Sequence, residues 1–142
     1  MKTLHLNLKK KWFDMIKSGE KTEEYREISD YYITRLFDFK KSDKSYHKTV
    51  GEVFSFYHGL FGSALEAARH LVGQKFVVSK KIKTVTFSNG YAKDRPQFAI
   101  ELRKLWIRTG DPEWGAEPGK YYFVLKLGSV LPRAGKEVKW KK

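Results

Sequence analysis

Three charged residues near the start of the chain are spaced in a way that can do chemistry. Lys21 is followed by Glu24 three positions later and by Arg26 two positions after that. An arginine recognises a phosphate or a base edge through paired hydrogen bonds. A glutamate can act as a general base, and a lysine is a phosphate contact in water or, once desolvated, a nucleophile or base. The alternative is an ion-paired cluster that ties a helix to a strand.

The elements around these charges predict that they converge. Residues 9–18 are amphipathic, which predicts a helix, and Gly19 suits the left-handed C-cap that ends one. The apolar side chains of this helix recur on one face: Trp12, Phe13 and Ile16. If residues 23–28 form a strand, its two-residue period places Glu24 and Arg26 on the same face. We therefore expect Lys21, Glu24 and Arg26 to meet in a solvent-reachable hollow beside the first helix.

The pattern Gly-x-Lys-x-x-Glu-x-Arg, written GEKTEEYR at residues 19–26, resembles the signature of the ASCH domain, a relative of the PUA RNA-binding fold. The surrounding order agrees, with LHLNL and KKKWFDMIKSG before the motif and SDYYITRLF after it. The later FSNGYAKDRPQFAIELRKL and YYFVLKLGSVL resemble the variant of this domain common in phage-related and gut-bacterial proteins. The resemblance covers residues 2–37 and 83–131.

The resemblance implies an α+β fold, a PUA-like mixed β-barrel with flanking helices, whose motif residues line a cleft. Members of the family have been assigned amidohydrolase activity on acylated cytidine, or ribonuclease activity, and many have no assigned reaction. In the amidohydrolase branch the motif lysine is the nucleophile, and Lys21 matches it. A threonine stands there at the position of Glu24, and a further glutamate comes from a downstream helix. Glu24 departs from this pattern, and no downstream segment supplies the second glutamate.

Composition limits the class of protein. A chain of 142 residues with 41% hydrophobic and 15% aromatic residues fits one folded domain. It has no apolar run of the roughly 18 residues that a membrane span needs, and its N-terminus lacks a signal-peptide core. With no cysteine there is no disulfide framework and no thiolate metal site. We expect a soluble cytoplasmic protein with no membrane partner and no cofactor, and its oligomeric state stays open.

The charge balance favours a polyanionic partner. Lysine and arginine total 29 against 16 aspartate and glutamate, which gives a net charge of +13 and a pI near 9.8. An excess of this size is typical of nucleic-acid binding, although basic surfaces also arise from solubility requirements. Part of it lies in residues 136–142, which we interpret as a basic C-terminal tail after a single domain of residues 1–135.

The middle of the chain is interpreted as a helical insertion at residues 42–80, and a lysine-rich loop is predicted at residues 39–48, where the insertion begins. Ser63 and Glu66 have the spacing of a capping box, which predicts a helix ending at Gly73. Upstream, residues 51–62 are apolar but fit neither the helical nor the strand period. Three histidines fall in this region without an aspartate or cysteine at ligand spacing, so no metal site is predicted: His47, His58 and His70.

Further strands are predicted at residues 3–8, 83–88, 98–106 and 121–131, and Ser29 is expected to cap a helix through Phe37. His5, on the polar face of the first strand, is interpreted as a solvated side chain. The two longer loops carry candidate ligand contacts, because loops held by strands often bind ligands. Those contacts are Asn89, Tyr91, Arg95 and Trp114, the last of which can instead fold down on the core.

Two functions follow from these residues, and they leave open whether the chain is an enzyme. The first is a binding module for RNA or a nucleotide, with Lys21 and Arg26 on phosphate or base and Tyr91 or Trp114 stacking. The second is a hydrolase that cleaves an amide or phosphodiester in a nucleoside or RNA. In that case Lys21 is the nucleophile or acid and Glu24 is the base.

Overall fold

The computed structural model describes residues 2–40 and 48–132. Its strands are β1 (Lys2–Asn7), β2 (Glu23–Arg26), β3 (Phe37–Phe39), β4 (Val77–Ser79), β5 (Ile82–Ser88), β6 (Gln97–Thr109) and β7 (Tyr121–Val130). Its helices are α1 (Lys10–Ser18), α2 (Asp30–Leu36), α3 (Val50–Phe61) and α4 (Ala64–Gly73), and a 3-10 turn covers Pro112–Trp114. His47 and the basic tail predicted at 136–142 lie outside the described residues.

The five longer strands form one strongly curled sheet in the order β1-β5-β6-β7-β2. β1 runs parallel to β5, and β5 runs antiparallel to β6. A second sheet pairs β3 with β4 in antiparallel register. The predicted mixed α+β class is confirmed, and the curled sheet is compatible with a barrel-like α+β fold.

The chain divides into two compact units that are each described separately. Of the described residues, the first unit comprises 2–24, 82–105 and 125–132, and the second comprises 25–40, 48–81 and 106–124. Both α3 and α4, which lie in the predicted helical insertion, belong to the second unit. So do β3 and β4, which the sequence analysis did not predict.

The core of the first unit follows from the predicted alternation of its strands. Leu6 pairs with Phe87, and Phe87 pairs with Phe98, so three apolar side chains lie side by side on one face of the sheet. Phe13 of α1 contacts Phe98 edge-on, with the ring centroids 4.9 Å apart. All four side chains are buried. The amphipathic face of α1 therefore packs on the apolar face of the sheet, as its period predicts.

The segment that fits neither period forms α3, because its ends are well capped. The hydroxyl of Thr49 accepts from the backbone N–H of Glu52 at 3.1 Å, and the Glu52 carboxylate accepts from the backbone N–H of Thr49 at 2.7 Å. Gly62 ends the helix in the left-handed conformation, with φ 71°. The sequence does not show a helical period here because apolar residues lie on the exposed side of α3 as well as on its buried side.

Three other details of the second unit differ from the sequence predictions or refine them. Phe37 begins β3 instead of closing α2, which Ser29 caps as predicted. Ser63 caps α4 by accepting from the N–H of Glu66 at 3.1 Å, one half of the predicted capping box. α4 ends at Gly73 as predicted, but the left-handed turn that follows the helix is made by Lys75, with φ 61°, and not by the glycine.

Removing the cap of α3 tests its role. Thr49→Ala should lower the free energy of unfolding by about 1 kcal/mol, the usual effect of losing an N-cap hydroxyl. The hydrogen bonds from Thr49, the backbone one first, lower the pKa of the Glu52 carboxyl. Because this pKa is lower in the folded state, the stability that the ionised Glu52 carboxylate adds is fully present above the ordinary pKa of glutamate. It is lost as the pH falls through the lowered pKa. Urea unfolding at neutral and acidic pH measures both effects, and equal stability of the variant and the wild type at neutral pH would contradict them.

The helices of the described residues are short. The longest, α3, has 12 residues, whereas a membrane crossing takes about 20 predominantly apolar residues. Within residues 2–40 and 48–132, no helix has both the length and the apolar character that a membrane crossing requires.

Candidate functional site

A buried ion pair joins two of the three predicted site residues. Gly19 ends α1 with φ 89°, and the backbone N–H of Lys21 then donates to the carbonyl of Met15 at 2.9 Å. This turn directs Lys21 back along the helix. Its Nζ donates to Oε1 of Glu24 at 2.6 Å and lies 4.8 Å from the ring centroid of Trp12. The prediction that Lys21 and Glu24 meet is confirmed.

The prediction that this pair lies in a solvent-reachable hollow is wrong. The side chains of Lys21 and Glu24 are 1% and 8% exposed, so the pair is buried and does not lie in a hollow open to solvent. Two opposite charges 2.6 Å apart largely cancel at distances that are long compared with their separation, so the buried pair offers little attraction to a phosphate outside. In chemical terms the pair could exchange a proton or supply a nucleophilic amine, but only to a substrate that reaches the interior.

Arg26 and Trp114 belong to the second unit. Nη1 of Arg26 donates to the hydroxyl of Tyr32 at 2.9 Å, and the guanidinium carbon lies 5.6 Å from the centroid of the same ring. Trp114 ends the 3-10 turn that Asp111 caps, and its side chain is half-buried. These two residues are therefore described with the second unit and not with the Lys21–Glu24 pair.

The loop after β5 is anchored at its base and exposed at its tip. The side-chain amide of Asn89 donates to the carbonyl of Leu8 at 2.9 Å, and Asn7 accepts from the N–H of Gly90 at 3.1 Å. Asn89 thus holds the loop against the end of β1. Tyr91, two positions further on, is 88% exposed. The loop presents an aromatic ring to solvent from a fixed base.

A groove in the first unit crosses three neighbouring strands. His5 pairs with Thr86, and Thr86 pairs with Ala99, so these residues form a row across β1, β5 and β6. Because side chains alternate along a strand, this row lies on the face opposite the buried phenylalanines. The groove has a volume of about 620 Å³. Its polar lining comprises His5, Lys17, Thr86, Asp94, Arg95 and Gln97.

The groove has cations that solvent can reach, unlike the buried ammonium group of Lys21. Lys17, in the last turn of α1, and Arg95 supply two cations, and Asp94 supplies one carboxylate. Arg95 is positioned by its own loop, since Nη1 donates to the carbonyl of Ala92 at 3.2 Å. The amide nitrogen of Gln97 donates to Ser88 at 3.0 Å, which directs its side chain along the sheet. The volume is in the range of small-ligand sites, about 300–1,000 Å³.

Only Arg95 among these groove residues was predicted from the sequence as a ligand contact. His5 was interpreted as a solvated side chain, and Lys17 was not considered. The alternation in β1 does place His5 outward, so that signal was available. The missing information was the register that brings His5, Thr86 and Ala99 together, because a parallel pair 81 residues apart leaves no mark in local sequence.

The two described histidines of the second unit, His58 and His70, pack against aromatic rings. His70 lies 4.6 Å from the ring of Tyr57 and 5.3 Å from that of Phe61, and His58 lies 5.6 Å from Phe54, all between centroids. Among the residues that the structure describes, no three histidine, cysteine, aspartate or glutamate side chains are grouped as a metal site would require.

Comparison with protein-family models, curated proteins and solved structures finds no match to this chain.

Proposed function

We propose that this chain is an ASCH-type, PUA-like protein that binds RNA or a nucleotide in the groove of the first unit. The observation that carries the proposal is that Lys17 and Arg95 line one groove of suitable size. The loop that carries Arg95 also carries the exposed ring of Tyr91. The net charge of +13 and the GEKTEEYR motif support the same class of ligand.

Three groove residues, and Tyr91 from the same loop as Arg95, have side chains whose chemistry suits binding of a nucleotide. Arg95 and Lys17 contact phosphate, Arg95 through paired hydrogen bonds and Lys17 as a point charge. Tyr91 stacks on a base, which contributes about 1–3 kcal/mol per base in single-strand binding. Asp94 accepts from a base amine and repels a second phosphate, so it favours a base over a phosphate at its end of the groove.

The Lys21–Glu24 pair supports this site indirectly. It fixes the turn between α1 and β2, and α1 carries Lys17 in its last turn. This assignment differs from the expectation that Lys21 contacts the ligand itself. It follows from the burial of the pair and from the open position of the groove cations.

Fluorescence anisotropy of a labelled short single-stranded RNA tests the proposal. We expect binding at low salt that weakens with added salt, with a slope of log K against log salt of about −0.7 for each phosphate contacted in a single strand. A mononucleotide should compete for the same site. Failure of both ligands to bind at low salt would contradict the proposal.

A second candidate function rests on the 2.6 Å contact between Lys21 and Glu24. A lysine and a glutamate in contact are the elements of an amide or phosphodiester hydrolase, with Lys21 as nucleophile or acid and Glu24 as base. Since the pair is buried, the substrate must displace neighbouring side chains, Trp12 among them. Turnover of acylated cytidine or RNA that is lost in a folded Lys21→Met variant would favour this candidate. An inert wild type would exclude these two substrates.

A further inference from the structure

The helix α3 exposes large apolar side chains. Phe56 and Leu60 are 62% and 64% exposed, and Phe61 is also exposed. Phe56 and Leu60 are four residues apart, so they lie one above the other on the same face of the helix. Large exposed apolar faces are uncommon on isolated proteins and mark interaction surfaces. The proposed nucleotide groove is in the other unit and does not use this face.

The same face carries small residues beside the large ones. Ser55 and Gly59 are exposed and directly precede Phe56 and Leu60 in the sequence, four residues apart. A Cβ added to Gly59 would meet nothing within 4 Å, so packing within the chain does not require glycine there. A glycine in mid-helix is less favourable than alanine. A close approach by another helix would account for it, since large side chains of one helix fit over small residues of the next.

The charge distribution indicates what occupies this face. Residues 49–68 contain no lysine or arginine, although the chain has 29 of them and a net charge of +13. The charged residues in this stretch are Glu52 and Glu66. Two copies of so basic a chain repel each other elsewhere, and they approach with least repulsion where cations are missing. An acidic partner would instead be drawn to the basic surfaces.

We propose that α3 is the interface of a homodimer. Two copies of the helix pack about a two-fold axis, with Phe56 and Leu60 of one copy against Ser55 and Gly59 of the other. A two-fold interface uses the same patch twice, so the patch must be self-complementary. The alternation of large and small residues on α3 meets this requirement. The proposal is independent of nucleotide binding.

Sedimentation velocity of the full chain, from micromolar to submillimolar concentration, tests the dimer. We expect a species of twice the 16.7 kDa chain mass. Phe56→Ser and Leu60→Ser should each raise the dimer dissociation constant by about ten-fold or more, as expected for central apolar contacts. The control Val130→Ser removes an exposed apolar side chain from β7 and should leave the dimer unchanged. A wild type that stays monomeric throughout overturns the proposal.

Gly59→Leu separates an interface role from a folding role. The open space around Gly59 accepts the new side chain within one copy, so the unfolding temperature of the monomer should not fall. The dimer should be lost because the added side chain holds the two helices apart. Added salt should strengthen the wild-type dimer by screening the repulsion between the copies. A dimer that persists in Gly59→Leu, or that survives Phe56→Ser at wild-type strength, shows that another surface is used and overturns the assignment.

Discussion

Replacing Lys21 by methionine should lower the free energy of unfolding by about 3–5 kcal/mol, the usual effect of removing one partner from a buried ion pair. Methionine keeps much of the apolar stem of lysine, so packing against Trp12 changes little. The loss instead comes from the Glu24 carboxylate, which stays buried without the ammonium group that lies 2.6 Å away. Urea unfolding monitored by far-UV circular dichroism measures the difference.

A double variant separates this charge effect from a loss of packing. Lys21→Met combined with Glu24→Leu removes both charges and should recover most of the stability, because replacing a whole buried pair by apolar residues is often neutral. The exposed pair of Lys10 and Asp14, at 2.8 Å, is the matched control. Lys10→Met should change stability by less than about 1 kcal/mol. A Lys21→Met variant as stable as wild type would show that the pair is not buried in solution.

Replacing Arg95 and Lys17 by alanine should weaken RNA binding more than any other pair of exposed substitutions in the first unit. Each lost phosphate contact should reduce affinity by at least about ten-fold, because a hydrogen bond to a charged group contributes roughly 1.5–3 kcal/mol. Each should also reduce the steepness of the salt dependence by about 0.7. Anisotropy titrations of the single and double variants at several salt concentrations measure both quantities.

A control of equal charge distinguishes a specific site from general attraction. Lys81→Ala removes an exposed lysine that does not line the groove. It should change affinity far less than Arg95→Ala does. If the three substitutions weaken binding equally, the RNA is held by overall charge and the groove has no special role.

Local patterns predicted the elements around the site well. The alternation of leucines predicted β1, and the apolar spacing with Gly19 predicted both α1 and its end. Both features depend on residues close in sequence. α3 could not be assigned because its apolar residues lie on two faces, one of which is left exposed by the residues that the structure describes. The spacing of apolar residues predicts a helix only when one face is buried and the other is polar. The prediction fails where the exposed face is also apolar.

The candidate site was predicted in part. The three-residue spacing correctly placed Lys21 against Glu24, because a tight turn after Gly19 leaves few other geometries. Whether that pair faces solvent depends on Trp12 and on the packing of the whole unit, which a motif does not contain. The groove depends on the register of β1, β5 and β6, set by contacts between distant segments. The open cations of the groove were therefore harder to predict than the buried pair.

Mapping the bound ligand by amide chemical shifts tests the central claim most directly. A nucleoside monophosphate titrated into the isotope-labelled protein should perturb the backbone amides around His5, Lys17, Thr86 and residues 94–99. Amides of α3 should remain unchanged at a constant protein concentration. Shifts absent from the groove at saturating ligand, or confined to the second unit, would contradict the assignment of the first unit as the nucleotide-binding site.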